Sequence, residues 1–231
     1  MLYLLLACMV SGDTHTYEEY HEGQDVVECA ATSSKSTLSS ARIGLYSGGV
    51  EVGHGSGNYF KFGKHRFLLT AAHVVEHDGD INMFIKDGEN LIGFTVAYVD
   101  TEKDIAIIVP NEDLSHVKAR RWKVNKDKDM LGETVNYAGY PAGLGKVLIR
   151  GMVSAHYKER LIVQGFALPG ASGSVVFDKS GRVVGVVSAI ALHQSSFSIF
   201  PELQEDMVYI SNADFLTKKF LREVFKCVKT Q

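Results

Sequence analysis

The sequence predicts an all-β chain with one helix at its C-terminal end, and three observations predict it. Short apolar, β-branched runs recur from Ala41 to Ile190, turn residues such as Ser47-Gly48-Gly49, Asp78-Gly79-Asp80 and Asp87-Gly88 separate them, and a sustained helical period comes only near the end of the chain. Many short strands at this spacing make an antiparallel barrel or a sandwich. At 231 residues, with 45% hydrophobic and 22% charged, the chain suits one domain with a sizeable core, or two small barrels sharing one. A net charge of −3 argues against an electrostatic nucleic-acid binder.

In chain order, residues 1–40 form an apolar N-terminal segment and a polar lead-in, with Ser, Thr and Ala crowding Asp25 to Ser40. Strands are expected at Ala41 to Tyr46, Val50 to His54, Tyr59 to Phe62, His65 to Thr70, Ile81 to Ile85, Leu91 to Val99 and Ile105 to Val109, a first barrel over about 41–113. His73 to His77 makes about one helical turn, with Glu76 and His77 facing solvent. From Leu114 to Asp129 cations group around Trp122, the only tryptophan. Asp127 and Asp129 interleave with them, so a solvated linker is expected rather than a patch for anionic lipid or nucleic acid. A second set of strands follows within about 130–195: Thr134 to Ala138, Lys146 to Ala155, Leu161 to Val163, Ser174 to Phe177 and Val183 to Ile190. Leu192 to Asp206 reads as a loop able to overhang a cleft. The helix is expected over about 212–227, capped by Ser211 with Asp214 three residues on, and presenting Leu216, Phe220, Leu221, Val224 and Cys227 on one face.

Chemistry concentrates in three stretches. Leu168-Pro169-Gly170-Ala171-Ser172-Gly173-Ser174 places a glycine-flanked serine before an apolar run. A serine hydroxyl needs a base to take its proton and donors for the oxyanion, and the N–H groups of Gly170 and Ser172 can converge on one spot. Alone this pattern also suits an ordinary turn between strands. Phe67 to Val75 ends an apolar strand at Ala71-Ala72-His73, and Asp104 heads the strand Ile105 to Val109, which supplies a base and an orienting acid in the order His, Asp, Ser.

On these residues the chain resembles a trypsin-like serine peptidase, most closely the protease domain of the HtrA (Deg) group. Gly53-His54-Gly55-Ser56-Gly57, Leu69 to Val75, Asp104 to Ile108, and Tyr137 to Leu144 followed by Arg150 to Ala155 carry the likeness, which covers about 42–192. It departs at Gly170-Ala171-Ser172-Gly173-Ser174, where the family has Gly-Asn-Ser-Gly-Gly. The resemblance implies two six-stranded antiparallel β-barrels of chymotrypsin type with the site between them and a C-terminal helix packed on the second barrel; no PDZ domain is expected to follow, because too little chain remains for one. It implies Ser172 as nucleophile, His73 as base, Asp104 as orienting acid, and Gly170 and Ser172 as oxyanion donors. A substrate pocket is implied at Phe166, Ala167, Ser188, Ala189 and Ile190, and the absence of an acid there suits a small or medium apolar side chain. No cofactor or metal is required. His73 and His77 stand at i, i+4, but Val74 follows His73 where a zinc-protease helix has glutamate, and the other histidines lack even that spacing.

The expected partner is a polypeptide substrate, with hydrolysis through an acyl-enzyme. The alternatives are a non-catalytic peptide-binding or chaperone-like module of the same fold and a structural component of a larger assembly; an esterase uses the same chemistry. Leu5-Leu6-Ala7-Cys8 resembles a bacterial lipobox, against the plainer reading of a short apolar N-terminus or a start placed downstream of the true one. With the likeness to envelope proteases, export or an envelope anchor through Cys8 is expected over a cytoplasmic location. Two arrangements stay open for Cys29 and Cys227: a bridge, or unpaired thiols with Cys227 buried on the helix face.

Overall fold

Runs of apolar residues without polar alternation become strands buried on both faces, and two of these strands join the halves of the molecule. The computed structural model describes residues 35–77, 79–127, 129–193 and 202–228, so the expectations for Cys8, Cys29 and the N-terminal segment lie outside the described residues. The first half is an eight-stranded sheet in the order β5-β4-β1-β2-β3-β7-β6, with β8 added to β2. Its strands are β1 (Ser40–Ser47), β2 (Val50–Phe62), β3 (His65–Thr70), β4 (Asn82–Asp87), β5 (Asn90–Ile92), β6 (Phe94–Asp100), β7 (Ile105–Pro110) and β8 (Arg120–Arg121). The second half is a closed barrel of six strands, β10-β11-β14-β13-β12-β9: β9 (Thr134–Gly139), β10 (Val147–Tyr157), β11 (Arg160–Gln164), β12 (Val175–Asp178), β13 (Val183–His193) and β14 (Glu202–Asn212). The fold is mostly β and chymotrypsin-like, with the first half an open sheet rather than a second closed six-stranded barrel.

Each half has a core, and alternation along β12 and β13 divides the side chains between them. Val175 and Phe177 join the first cluster with Ile43, Phe60, Phe67, Leu69 and Ile107, whereas Val176 joins the second with Val135, Tyr137, Val163, Val208 and Ile210. Successive side chains on a strand point to opposite faces, so a strand between two cores must be apolar at every position.

Six expectations change. Val50 to His54 and Tyr59 to Phe62 are one strand, because β2 pairs with β1 over its first part and with β3 over its last. Leu192 to Asp206 is not wholly loop: β13 reaches His193 and pairs Ala191 with Gln204 and His193 with Glu202. The linker is not simply solvated. Trp122 is 2% exposed, edge-on to Phe60 at 5.0 Å, and its Nε1 donates to Leu216 O at 3.1 Å. Arg120 lies 4.1 Å from the Phe177 ring centroid, and burial pushes its guanidinium down to about 10. The helix begins later than expected, at Lys218–Cys227, with Thr217 as its cap accepting from Phe220 N at 3.2 Å, while Ser211 is a buried residue of β14. It docks on the first sheet, not the second barrel: Phe225 stacks on His65 at 4.6 Å and meets Phe67 at 5.3 Å. Cys227, at the end of that helix, is exposed rather than buried on the packed face, and among the described residues it has no disulfide partner.

Candidate active site

β3 ends at Thr70, and a single helical turn, Ala72–Val75, carries His73 outward while Val74 and Val75 anchor it in the core. Glu76 and His77 face solvent, as expected. Asp104 stands immediately before β7 with φ 52°, a left-handed conformation that aspartate tolerates better than most residues. Its Oδ1 accepts from His73 N at 3.0 Å, and His73 Nδ1 lies 2.9 Å from each carboxylate oxygen. An ionised carboxylate only accepts, so Nδ1 carries the hydrogen and Nε2 is left as the basic nitrogen. Ser188 Oγ donates to Asp104 Oδ2. Burial alone would raise the Asp104 carboxyl, but the bonds from the His73 ring, the Ser188 hydroxyl and the His73 backbone outweigh it and hold the carboxyl below its usual range.

The serine turn is built from backbone. Gly170 and Gly173 adopt φ 95° and 87°. A Cβ on Gly173 would lie 2.0 Å from Ser56 O, and one on Gly170 would lie 2.5 Å from both His54 Nε2 and Tyr140 O, so neither position accepts a side chain without displacement. Gly173 N donates to Val187 O at 2.8 Å and Val187 N to Ser174 O at 2.9 Å, which tie the turn to β13. Ser56 N donates to Ser172 O at 2.7 Å, which ties it to β2. Ser172 itself is half-buried, and among the described residues no hydrogen bond joins its Oγ to His73. Such contacts are often long until substrate is bound.

The two N–H groups expected to serve an oxyanion take no backbone acceptor among the described residues. Pro169 O accepts from Ala142 N at 2.6 Å. In a trans peptide the carbonyl and the following N–H point in opposite directions, so this bond turns the Gly170 N–H away from Ala142. Ala142 is held at φ 50° and ψ 32°, unusual for a residue with a Cβ.

The expected pocket residues have different fates. Phe166 is half-buried against the second core and its carbonyl accepts from Tyr137 Oη, whereas Ala167 is fully buried inside that core. Ser188, expected at a pocket wall, has its hydroxyl bonded to Asp104. Ala189 is half-buried, and the Ile190 side chain lies outside the described residues. A cleft of about 400 Å³ opens elsewhere, lined by Glu102, Lys103, Arg160, Ser211 and Phe215 among others, and holds none of the expected site residues. Sequence reasoning missed Ser56 and the Asp104 contact of Ser188. The only signal for the latter was a lone serine within the apolar run Val183 to Ile190.

Comparison with known proteins bears on this geometry. Residues 55–186 match the family model described as "Trypsin-like peptidase domain". The chain is 29% identical over 154 residues to "Protease Do-like 1, chloroplastic" of Arabidopsis thaliana, covering 61% of this chain and 34% of that protein. It is 32% identical over 149 residues to "Putative serine protease HhoB" of Synechocystis, covering 59% and 35%. A "Probable periplasmic serine endoprotease DegP-like" of Chlamydia pneumoniae is 28% identical over 134 residues, covering 54% and 26%. The chain thus spans about a third or less of the length of these relatives. A crystal structure of the serine endoprotease from Yersinia pestis shares the fold, with a TM-score of 0.64, 16% identity, and coverage of 90% of this chain and 69% of that one.

Proposed function

The chain belongs to the trypsin-like peptidase domain family, and from that premise we propose that it is a serine endopeptidase acting through His73, Asp104 and Ser172. The observation that supports this most is the double contact of Asp104 with the His73 ring and backbone, which selects the tautomer a general base needs. Ser172 attacks the peptide carbonyl carbon as His73 Nε2 takes its proton. The tetrahedral oxyanion is held by the Gly170 and Ser172 N–H groups, and His73 returns the proton to the leaving amine. Water then repeats the sequence on the acyl-enzyme. No step calls on a metal or cofactor.

A small or medium apolar side chain is proposed before the scissile bond, since Gly165 to Leu168 and Val187 to Ile190 contain no acid to pair with a basic one. Export, with a lipid anchor on Cys8, is the proposed location, supported by the printed names of the chloroplastic and periplasmic relatives. Metabolic labelling with a fatty-acid probe, lost on Cys8→Ser, tests the anchor.

Incubation with unfolded casein tests the reaction. Wild type is expected to cleave it, and Ser172→Ala to lose activity by on the order of 10⁴-fold or more with an unchanged Tm. A purified Ser172→Ala variant that cleaves as fast as wild type contradicts the assignment. The unclosed Ser172–His73 contact is what favours the non-catalytic peptide-binding reading, which predicts casein binding without turnover in the wild type.

A further inference from the structure

Ser56 is fully buried in β2, on the first sheet, yet its polar groups reach the second half of the molecule. Its Oγ donates to Gly170 O at 2.7 Å and accepts from Tyr140 N at 3.0 Å. Its backbone N–H donates to Ser172 O at 2.7 Å, and its carbonyl accepts from Thr70 Oγ1 at 2.7 Å, three residues before His73. Two residues earlier on the same strand, His54 Nε2 lies 2.7 Å from Tyr140 O; a carbonyl only accepts, so the ring donates. Both backbone polar groups of Tyr140 are therefore held by side chains of β2.

Tyr140 leads into the turn Pro141–Gly143, whose Ala142 N–H holds Pro169 O. The Pro169–Gly170 peptide carries the Gly170 N–H, and the next peptide carries Gly170 O. Ser56 thus acts on Gly170 from both sides, directly through the carbonyl and, by way of Tyr140 and Ala142, through the amide.

We propose that Ser56 is a positioning residue that fixes the orientation of the Gly170 amide and so forms the oxyanion site. The proposal rests on the serine-endopeptidase reading. Truncating the hydroxyl leaves Gly170 O and Tyr140 N without their buried partner, and each then turns toward whatever partner it finds. The cost falls on the tetrahedral state, because the ground-state carbonyl gains little from the donors.

The test compares wild type, Ser56→Ala and Ser56→Cys. The measurements are steady-state cleavage of a casein-derived peptide, inhibition by a peptide aldehyde, whose hemiacetal with Ser172 places an oxygen at the oxyanion site, and binding of a non-cleavable product peptide. Ser56→Ala is expected to lose about ten- to a hundredfold in kcat/KM with KM within about twofold. The aldehyde Ki should rise by the same factor, and product-peptide affinity should stay unchanged. Ser56→Cys fills the site with a somewhat larger group and a weaker donor and should lose activity in the same direction, which carries the test if the alanine variant does not fold. Folded variants with a lowered Tm but wild-type kcat/KM and aldehyde Ki overturn the proposal, since only stability is then affected. A wild type that neither cleaves casein nor reacts with the aldehyde overturns the functional reading beneath it, whereas an active wild type with unaltered Ser56 variants overturns this inference alone.

Discussion

The two halves of the candidate site are held by different kinds of bond. His73, on its single helical turn, and Asp104, just before β7, meet at the Asp104 carboxylate, which takes the His73 ring and backbone N–H and has the Ser188 hydroxyl as its third donor. The Ser172 turn meets β2 and β13 mainly through backbone groups, with the Ser56 hydroxyl on Gly170 O as a side-chain brace, and its two positive-φ glycines leave no room for side chains. Single side-chain changes can therefore detune the base without moving it. The nucleophile is disturbed chiefly by changes that move the chain.

The largest test of that contrast is Asp104→Asn. An asparagine amide can donate where the carboxylate accepted and so favours the wrong imidazole tautomer, so kcat near neutral pH is expected to fall on the order of 10⁴-fold while KM changes little. A variant as fast as wild type removes Asp104 from its role. Gly173→Ala is expected to act on both stability and rate, since its Cβ would lie 2.0 Å from Ser56 O in a left-handed backbone. A loss of more than about 3 kcal/mol by denaturant unfolding is expected, together with loss of turnover in whatever remains folded. If the variant matches wild type in both, the turn is not held as tightly as its contacts require.

Ser188→Ala sharpens the side-chain half. It removes one bond that lowers the Asp104 carboxyl, so that carboxyl should titrate closer to its ordinary value in a carbon-detected NMR titration. A depressed folded-state pKa gives stability that is present above the unfolded value of about 3.9 and lost as pH falls through the folded value. The variant should therefore be less stable than wild type at neutral pH, by an amount that disappears once the pH has fallen below the folded-state value of the wild-type carboxyl. A gap that persists undiminished below that value would point to lost packing instead. The smallest effect belongs far from the site: Thr217→Ala removes the helix cap and should lower stability by about 1 kcal/mol with no change in kcat/KM.

The sequence made the strands legible where one physical cause dominates. β3, β7 and β9 lie within a residue of their expected ends, because apolar runs there stop at turn residues. The 114–129 stretch was harder to read because charge dominates its composition. Yet Arg120, Trp122 and Val124 alternate with the more exposed Arg121 and Lys123, the period of a strand tied across both halves. The helix start was misplaced because Ser211 and Thr217 are both chemically able to cap, and only tertiary pairing of Ser211 with Arg160 and Val186 decides between them. At the site, the glycine-flanked serine and the two strand-end residues are local patterns. Ser56 could not be read as a brace, since its partners lie 84 and 114 residues away.

The most direct measurement of the central claim is covalent labelling with a fluorophosphonate, located by mass spectrometry of the digested protein. An activated serine attacks phosphorus and expels fluoride, so wild type should carry the label on Ser172 alone, and the rate should fall by orders of magnitude in Asp104→Asn and to nothing in Ser172→Ala. An unlabelled wild type, or label spread over other serines at equal rates in all three proteins, would contradict the account.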